Sequence, residues 1–118
     1  MFEQQNEVQH EDTIILNQPY DIRFHAEETS ENLIIMWKYP DKPLCVKGFL
    51  IQYSDLGRID DFQTIVSDTE SINNFHFLPK IMNGWYRIRA LGFFEPKFSR
   101  DGPFSVPKLF KKDKKYTN

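Results

Sequence analysis

Short runs of alternating apolar and polar residues, separated by clusters of Pro, Gly, Asp and Asn, occupy most of the chain between residues 19 and 109. This period of two is typical of β-strands, in which successive side chains point to opposite faces. No stretch keeps a helical period for three turns. The pattern therefore predicts an all-β protein with seven strands, at residues 20–24, 33–37, 49–53, 62–66, 72–77, 86–90 and 104–110.

Seven short strands with this spacing indicate two sheets packed face to face, with one side chain in two directed into the space between them. In the second run, the odd positions Leu33, Ile35 and Trp37 are predicted to face inward, and Ile34 and Met36 outward. Trp37 is the largest candidate core residue, so we expect it to act in folding. Ile34 and Met36 would then be exposed unless the apolar segment 13–16 or another interface covers them. The segment 13–16 is expected either to extend the first strand or to dock a partner.

Several landmarks appear in one order along the chain: Trp37 with Pro40, then Phe49, Ile51 and Tyr53, then Leu78, then Tyr86, Ile88 and Ala90, and finally the run Gly102-Pro103-Phe104-Ser105. This order resembles a fibronectin type III domain over residues 17–110. The resemblance implies a fibronectin type III-like (immunoglobulin-like) antiparallel sandwich of seven strands in two sheets, a module that usually binds other molecules and rarely catalyses reactions.

One landmark departs from the family pattern. If Leu78 opens the turn and Ala90 ends the strand pattern, Gly84 stands where the family has its corner tyrosine, whose hydroxyl bonds back to the preceding chain. We therefore predict that this hydrogen bond is missing and that the loop 80–84 is built differently. A second, shorter likeness concerns the stretch from the Phe-rich loop into Gly102-Pro103-Phe104. It is similar to the end of activating-transcription-factor-interacting chromatin adaptors and implies a nuclear, transcription-linked adaptor.

Composition and charge further limit the possible functions. The chain has 118 residues, enough for a single core, and a net charge of −2, which draws it to neither nucleic acid nor an anionic membrane. We expect a flexible acidic leader at residues 1–16, the domain at 17–110 and a basic tail at 111–118. The Lys-rich tail allows only weak phosphate contact. Another protein is thus the expected partner, and a monomer the expected state.

Cys45 is the only cysteine, which excludes an intramolecular disulfide and favours a reducing, intracellular compartment. A module of an extracellular adhesion molecule or receptor, or a structural spacer in a tandem array, stays open as an alternative. The three histidines His10, His25 and His76 lack metal-ligand spacing, and no catalytic motif is present. We expect no enzyme activity, no metal and no cofactor.

Two surfaces are candidates for binding. The first is the loop after Ala90, which carries Phe93, Phe94 and Phe98. Such a loop projects from one end of a sandwich, and rigid aromatic side chains are typical anchors of interfaces. The alternative is that Phe93 and Phe98 fold back to cap the core. Phe94→Asp is predicted to weaken binding and leave the fold intact.

The second candidate surface follows from the alternation within the run 84–91. If Tyr86 and Ile88 point inward, then Trp85, Arg87, Arg89 and Leu91 point outward, beside Leu50 and Gln52 of the neighbouring strand. Trp and Arg are common at interfaces, and we expect the indole and the guanidinium groups to stack. The alternative is a solvent-facing surface whose polar groups satisfy one another.

Overall fold

The computed structural model describes residues 14–40, 45–93 and 99–112. Its secondary structure consists of strands, and the described part of the chain contains no helix long and apolar enough to cross a membrane. The strands are β1 (Ile14–Ile15), β2 (Tyr20–Glu27), β3 (Asn32–Lys38), β4 (Gly48–Ser54), β5 (Gln63–Val66), β6 (Phe75–Leu78), β7 (Gly84–Leu91), β8 (Ser99–Arg100) and β9 (Lys108–Phe110).

Two antiparallel sheets form the sandwich. One has the order β2-β3-β6 and the other the order β5-β4-β7-β9. The predicted all-β sandwich is confirmed, and its seven predicted strands correspond to β2–β7 and β9. The predicted boundaries differ most at β6, which begins at Phe75 instead of residue 72, and at β9, where regular pairing begins only at Lys108.

The core lies between the two sheets because alternate side chains of each strand point there. In β3, Leu33, Ile35 and Trp37 are buried as predicted, whereas Ile34 and Met36 are only half-buried. Trp37 packs edge-on against Phe49, with ring centroids 4.9 Å apart. The remaining buried apolar side chains of this cluster are Leu16, Ile22, Val46, Ile51, Leu78, Tyr86, Ile88 and Ala90.

The segment before the first sandwich strand is held by the chain itself. β1 and β8 form a short parallel pair, in which Ile14 lies opposite Ser99 and Ile15 opposite Arg100. The Leu16 amide donates to the Arg100 carbonyl at 3.1 Å, and the Leu16 side chain is buried in the core. Residues 14–16 therefore pair with β8 in a separate two-stranded sheet and do not extend β2, which was the role within the chain predicted for the segment 13–16.

The tyrosine corner that we predicted to be missing is present, so that prediction was wrong. The Tyr86 hydroxyl donates to the Met82 carbonyl at 2.7 Å, while its ring is fully buried in the core. The sequence pattern had assigned Tyr86 a core role only and placed the corner two residues earlier. A corner bond requires a hydroxyl that reaches back across the loop from the start of the strand, and Tyr86 fills both roles at once.

Gly84 has a different reason to be glycine. Its φ is +151°, a region that other residues rarely adopt, and a Cβ there would lie 2.5 Å from the Tyr53 ring. The Tyr53 hydroxyl, in turn, donates to the Asn83 carbonyl at 2.5 Å. The hydroxyl groups of Tyr86 and Tyr53 thus hold the loop 80–84. The Tyr53 ring lies so close to residue 84 that only glycine fits there.

These tyrosines predict a loss of stability at high pH. Burial is the main cause that raises the pKa of Tyr86 and of Tyr53 above the ordinary value of 10.0. Each buried tyrosine contributes to stability while its hydroxyl is protonated. Because the folded-state pKa is raised, this contribution is complete below the unfolded pKa and disappears as the pH rises through the folded pKa. We expect the free energy of unfolding, measured with urea between about pH 8 and about pH 11, to fall more steeply for the wild type than for Tyr86→Phe. Equal slopes would contradict the assignment.

Candidate functional site

The first candidate surface is only partly described. Phe94 and Phe98 lie outside the described residues, so the prediction that places them at an interface stays a prediction. Phe93 is half-buried at the base of the loop. Its amide donates to the Ser99 hydroxyl at 3.0 Å, and that hydroxyl donates to the Cys45 carbonyl at 2.7 Å. Buried Ser99 therefore ties together the two ends of the loop and the segment that begins at Cys45.

The second candidate surface brings most of its predicted residues together. The pairing of β4 with β7 places Leu50 opposite Arg89, Gln52 opposite Arg87 and Ser54 opposite Trp85. Because opposite residues of an antiparallel pair share a face, Leu50, Trp85, Arg87 and Arg89 lie on the outer face of the four-stranded sheet. All four are half-buried.

Leu91 adds almost no accessible area to this surface, although its pairing opposite Gly48 gives it the same parity as Arg89. Its side chain is buried, with 8% of its area exposed. At this end of β7 the alternation stops, since Ala90 and Leu91 are both buried. The Leu91 carbonyl accepts a hydrogen bond from the Lys47 amide at 2.8 Å, so the segment that leads into β4 runs alongside it.

Two arginines of the outer face are stacked against phenylalanine rings. The Arg87 Cζ atom lies 4.1 Å from the centre of the Phe62 ring and 4.2 Å from the centre of the Phe104 ring. The Arg89 Cζ atom lies 4.9 Å from the centre of the same Phe104 ring. The order Phe62, Arg87, Phe104, Arg89 is therefore a continuous stack in which rings and cations alternate, and each such contact contributes about 0.5–1 kcal/mol at an exposed site.

Hydrogen bonds hold both guanidinium groups in place. The Arg87 Nε donates to the Gln52 Oε1 at 2.8 Å, and the Arg89 Nε donates to the Gly102 carbonyl at 2.9 Å. Each bond uses the nitrogen nearest the aliphatic stem. Within the described residues, the terminal nitrogens of both groups have no hydrogen-bond acceptor. We call this surface, formed by Leu50, Gln52, Phe62, Trp85, Arg87, Arg89 and Phe104, the arginine face.

The arginine face carries positive charge that nearby acids do not neutralise. Burial, and next the charge of Arg89, lower the pKa of Arg87, although a guanidinium stays protonated at neutral pH. In the described ranges, neither arginine makes an ion pair. The carboxylates that do form ion pairs there use other cations: Asp21 with Arg23 and Lys38, Asp61 with Arg58, and Asp68 with Lys47.

Trp85 stands beside this stack and is not part of it. Its indole covers the turn at Gly57, where φ is +81° and a Cβ would lie 2.9 Å from the indole. The Gly57 amide also donates to the buried Ser54 hydroxyl at 2.8 Å, which fixes the turn against β4. The predicted stacking of the indole on a guanidinium was therefore wrong, since the arginines stack on phenylalanines.

Phe62 and Phe104 are the residues of this site that the sequence analysis did not assign to a binding surface. Phe62 directly precedes β5. Phe104 precedes Ser105, whose hydroxyl accepts a hydrogen bond from the Ile88 amide at 2.9 Å. Since Ser105 is buried against β7, its neighbour Phe104 points outward between the two arginines. An alternation read through residues 104 and 105 could have indicated this position.

The described ranges contain no group of three or more His, Cys, Asp or Glu side chains that could hold a metal ion. The histidines that the sequence singled out are separated in space as well. His25 lies on β2, and His76 on β6, at the opposite edge of the same sheet. His10 is not among the described residues.

The chain's architecture is similar to that of solved structures, whereas no family model and no curated protein matches its sequence. A myokine structure is 17% identical, with a TM-score of 0.56, and the match covers 82% of this chain and 97% of that chain. A structure of titin kinase and its flanking domains is 11% identical, with a TM-score of 0.50, over 88% of this chain and 19% of that chain. At these identities the likeness concerns the fold. Together with the two antiparallel sheets and the tyrosine corner, it shows that this chain has a fibronectin type III-like (immunoglobulin-like) β-sandwich fold.

Proposed function

We propose that this chain is a non-catalytic protein-interaction module that binds a partner protein through the arginine face. The observation that carries the proposal is the pair of guanidinium groups of Arg87, stacked between Phe62 and Phe104, and Arg89, stacked on Phe104. Both lack a carboxylate partner among the described residues. Half-buried Leu50 and Trp85 supply apolar area beside them.

The chemistry of the face favours an acidic segment of the partner. A guanidinium presents its terminal N–H groups in a planar fork that matches a carboxylate. The stacking and the Nε bonds already hold both forks in one orientation, so binding orders few side chains and loses little entropy. An arriving carboxylate also relieves the mutual repulsion of two neighbouring positive charges.

The lone cysteine bears on the compartment in which the chain works. Because Cys45 has no second cysteine with which to pair, we propose that the module is intracellular. The more specific form of this proposal is an adaptor protein of the nucleus. An extracellular module or a spacer in a tandem array is the alternative. Fractionation of cells, followed by detection of the chain with an antibody, distinguishes the compartments.

The test is affinity capture from cell lysate with the wild-type chain and three variants, read by mass spectrometry. Arg87→Ala/Arg89→Ala removes the two cations of the arginine face. Arg23→Ala/Arg58→Ala removes two charges from well-exposed side chains elsewhere and is the matched control. Phe94→Asp tests the loop. We expect at least one captured protein to be reduced tenfold or more by the first variant only, corresponding to about 1.4 kcal/mol or more.

The outcomes separate the two surfaces. A protein lost only with Phe94→Asp would place binding in the loop and contradict the arginine face. Equal losses with both double variants would show that net charge, not this site, controls binding. Capture that is identical for every variant would favour the spacer. Circular dichroism and thermal unfolding of each variant confirm that the fold is kept.

A further inference from the structure

The three-stranded sheet has an open edge at β6. β6 pairs with β3 on one side and with no other strand of the described chain. The Trp37 amide donates to the Asn74 carbonyl at 3.1 Å, so these two residues occupy a hydrogen-bonded position of the ladder. Such positions alternate in antiparallel sheets. His76 and Leu78 therefore direct their backbone groups to β3, whereas Phe75 and Phe77 direct theirs to the open edge.

The same two residues carry the most exposed apolar side chains of this sheet edge. Phe75 is 45% exposed and Phe77 is 52% exposed. Their ring centroids are 6.0 Å apart, and across the ladder they lie opposite Met36 and Ile34, which are only half-buried. Free backbone groups and an apolar strip thus coincide on β6.

Natural proteins usually protect such an edge with a lysine, a proline or a bulge within the strand. The four residues of β6 include none of these, and Pro79 comes only after its end. The pairing of β6 with β3 is also regular, without a shift of register. The edge therefore remains suitable for pairing with another strand.

We propose that a second copy of this chain pairs with β6 in antiparallel orientation, about a two-fold axis at His76. In this register, Phe75 lies opposite the partner's Phe77, and Phe77 lies opposite the partner's Phe75. Each of these pairs exchanges both backbone hydrogen bonds, because the free groups of the two strands point at each other. The rings of both copies meet on the outer face, where cross-strand aromatic pairs are favourable.

A second copy fits this edge because the edge is self-complementary. A two-fold interface requires the same patch on both subunits, and the two free positions lie symmetrically on either side of His76. Burial lowers the pKa of His76, so the ring near the axis is neutral at neutral pH. The two copies therefore bring no like charges together at the axis.

The available area makes this a weak dimer. A phenylalanine side chain that becomes fully buried removes about 150–250 Å² from water, so two half-exposed rings offer roughly 200 Å² for each copy. Stable interfaces bury at least about 1,200 Å² in total. We therefore infer an equilibrium between monomer and dimer that shifts with concentration, in place of the purely monomeric state expected from the sequence.

Analytical ultracentrifugation of the full chain tests the dimer between about 10 µM and about 1 mM, a range in which weak complexes dissociate. The weight-average mass of the wild type is expected to rise from that of one chain toward that of two. Phe77→Lys should remain monomeric, since a charge on an edge strand opposes pairing. Tyr20→Lys is the matched control, because Tyr20 is also 52% exposed and lies on the opposite edge strand of the same sheet. A wild type that stays monomeric, or equal effects of both variants, would overturn the proposal.

Disulfide trapping tests the register. His76 and the partner's His76 would form a non-hydrogen-bonded pair, with Cα atoms about 4.5 Å apart, which is within the range for a disulfide. In a Cys45→Ala background, His76→Cys is expected to form a covalent dimer under mild oxidation, and His25→Cys, on the opposite edge strand, is expected to stay monomeric. Amide exchange at Phe75 and Phe77 should slow as concentration rises. Equal crosslinking at both sites, or no crosslinking at His76→Cys, would exclude this register.

Discussion

Trp37→Ala is expected to lower the free energy of unfolding by about 3–5 kcal/mol, the largest effect of any single substitution predicted for this chain. Trp37 is 4% exposed and packs against Phe49 between the two sheets. Its removal leaves a cavity that the two sheets cannot close without moving together. Since small domains have a total stability of about 5–15 kcal/mol, the variant is expected to be close to unfolding. Urea denaturation followed by circular dichroism measures the change.

Two controls separate packing from other effects. Trp37→Phe keeps an aromatic ring and breaks no hydrogen bond, because the Trp37 Nε1 has no partner among the described residues, so it tests the loss of packed area. Its expected effect is about 1–2 kcal/mol. Trp85→Ala removes the other tryptophan, which is half-buried on the outer face, and should cost less than Trp37→Ala. If the two alanine variants are equally destabilising, the assignment of Trp37 as the central core residue is wrong.

Tyr86→Phe is expected to lower the free energy of unfolding by about 1–3 kcal/mol, although it removes only one oxygen atom. The lost hydroxyl donates to the Met82 carbonyl from a ring that is fully buried, so water cannot easily take its place. The loop 80–84 is expected to loosen at the same time. Urea denaturation gives the stability change, and faster amide exchange at Asn83 and Gly84 reports the loop.

Tyr53→Phe is the matched control for the tyrosine corner. It removes a hydroxyl that donates to the carbonyl of Asn83, the residue next to Met82. The Tyr53 ring is only half-buried. Water can solvate the released carbonyl, so the expected loss is about 0.5–1 kcal/mol. A Tyr86→Phe variant that is no less stable than Tyr53→Phe would show that the corner bond does not stabilise this fold.

The strands could be predicted because each is encoded locally. In β3, the alternation of Leu33, Ile35 and Trp37 with more exposed residues puts the three apolar side chains on one face of the strand, and that face is the one buried in the core. The same holds for β7, where Tyr86 and Ile88 are buried and Arg87 and Arg89 face outward. Leu50, Trp85, Arg87 and Arg89 were correctly placed on one face for this reason.

The features that were missed depend on contacts between distant parts of the chain. Phe62 and Phe104 are 42 positions apart in the sequence, and only the sheet brings both rings to Arg87. The corner bond of Tyr86 depends on how the loop before β7 folds back. Leu91 has the right parity to face outward, but the segment that leads into β4 runs beside it. Alternation carries no information about such neighbours.

The sequence by itself thus determined the all-β class, the approximate positions of the strands along the chain and the core role of Trp37, because side-chain alternation and turn residues are local properties of the chain. Only the tertiary structure decided that Tyr86 forms the corner, that Arg87 and Arg89 stack on phenylalanines, and that β6 leaves Phe75 and Phe77 with free backbone groups. Each of these depends on which strand lies beside which and in what register. Register is a property of the assembled sheets, so it becomes visible only once the strands have been paired.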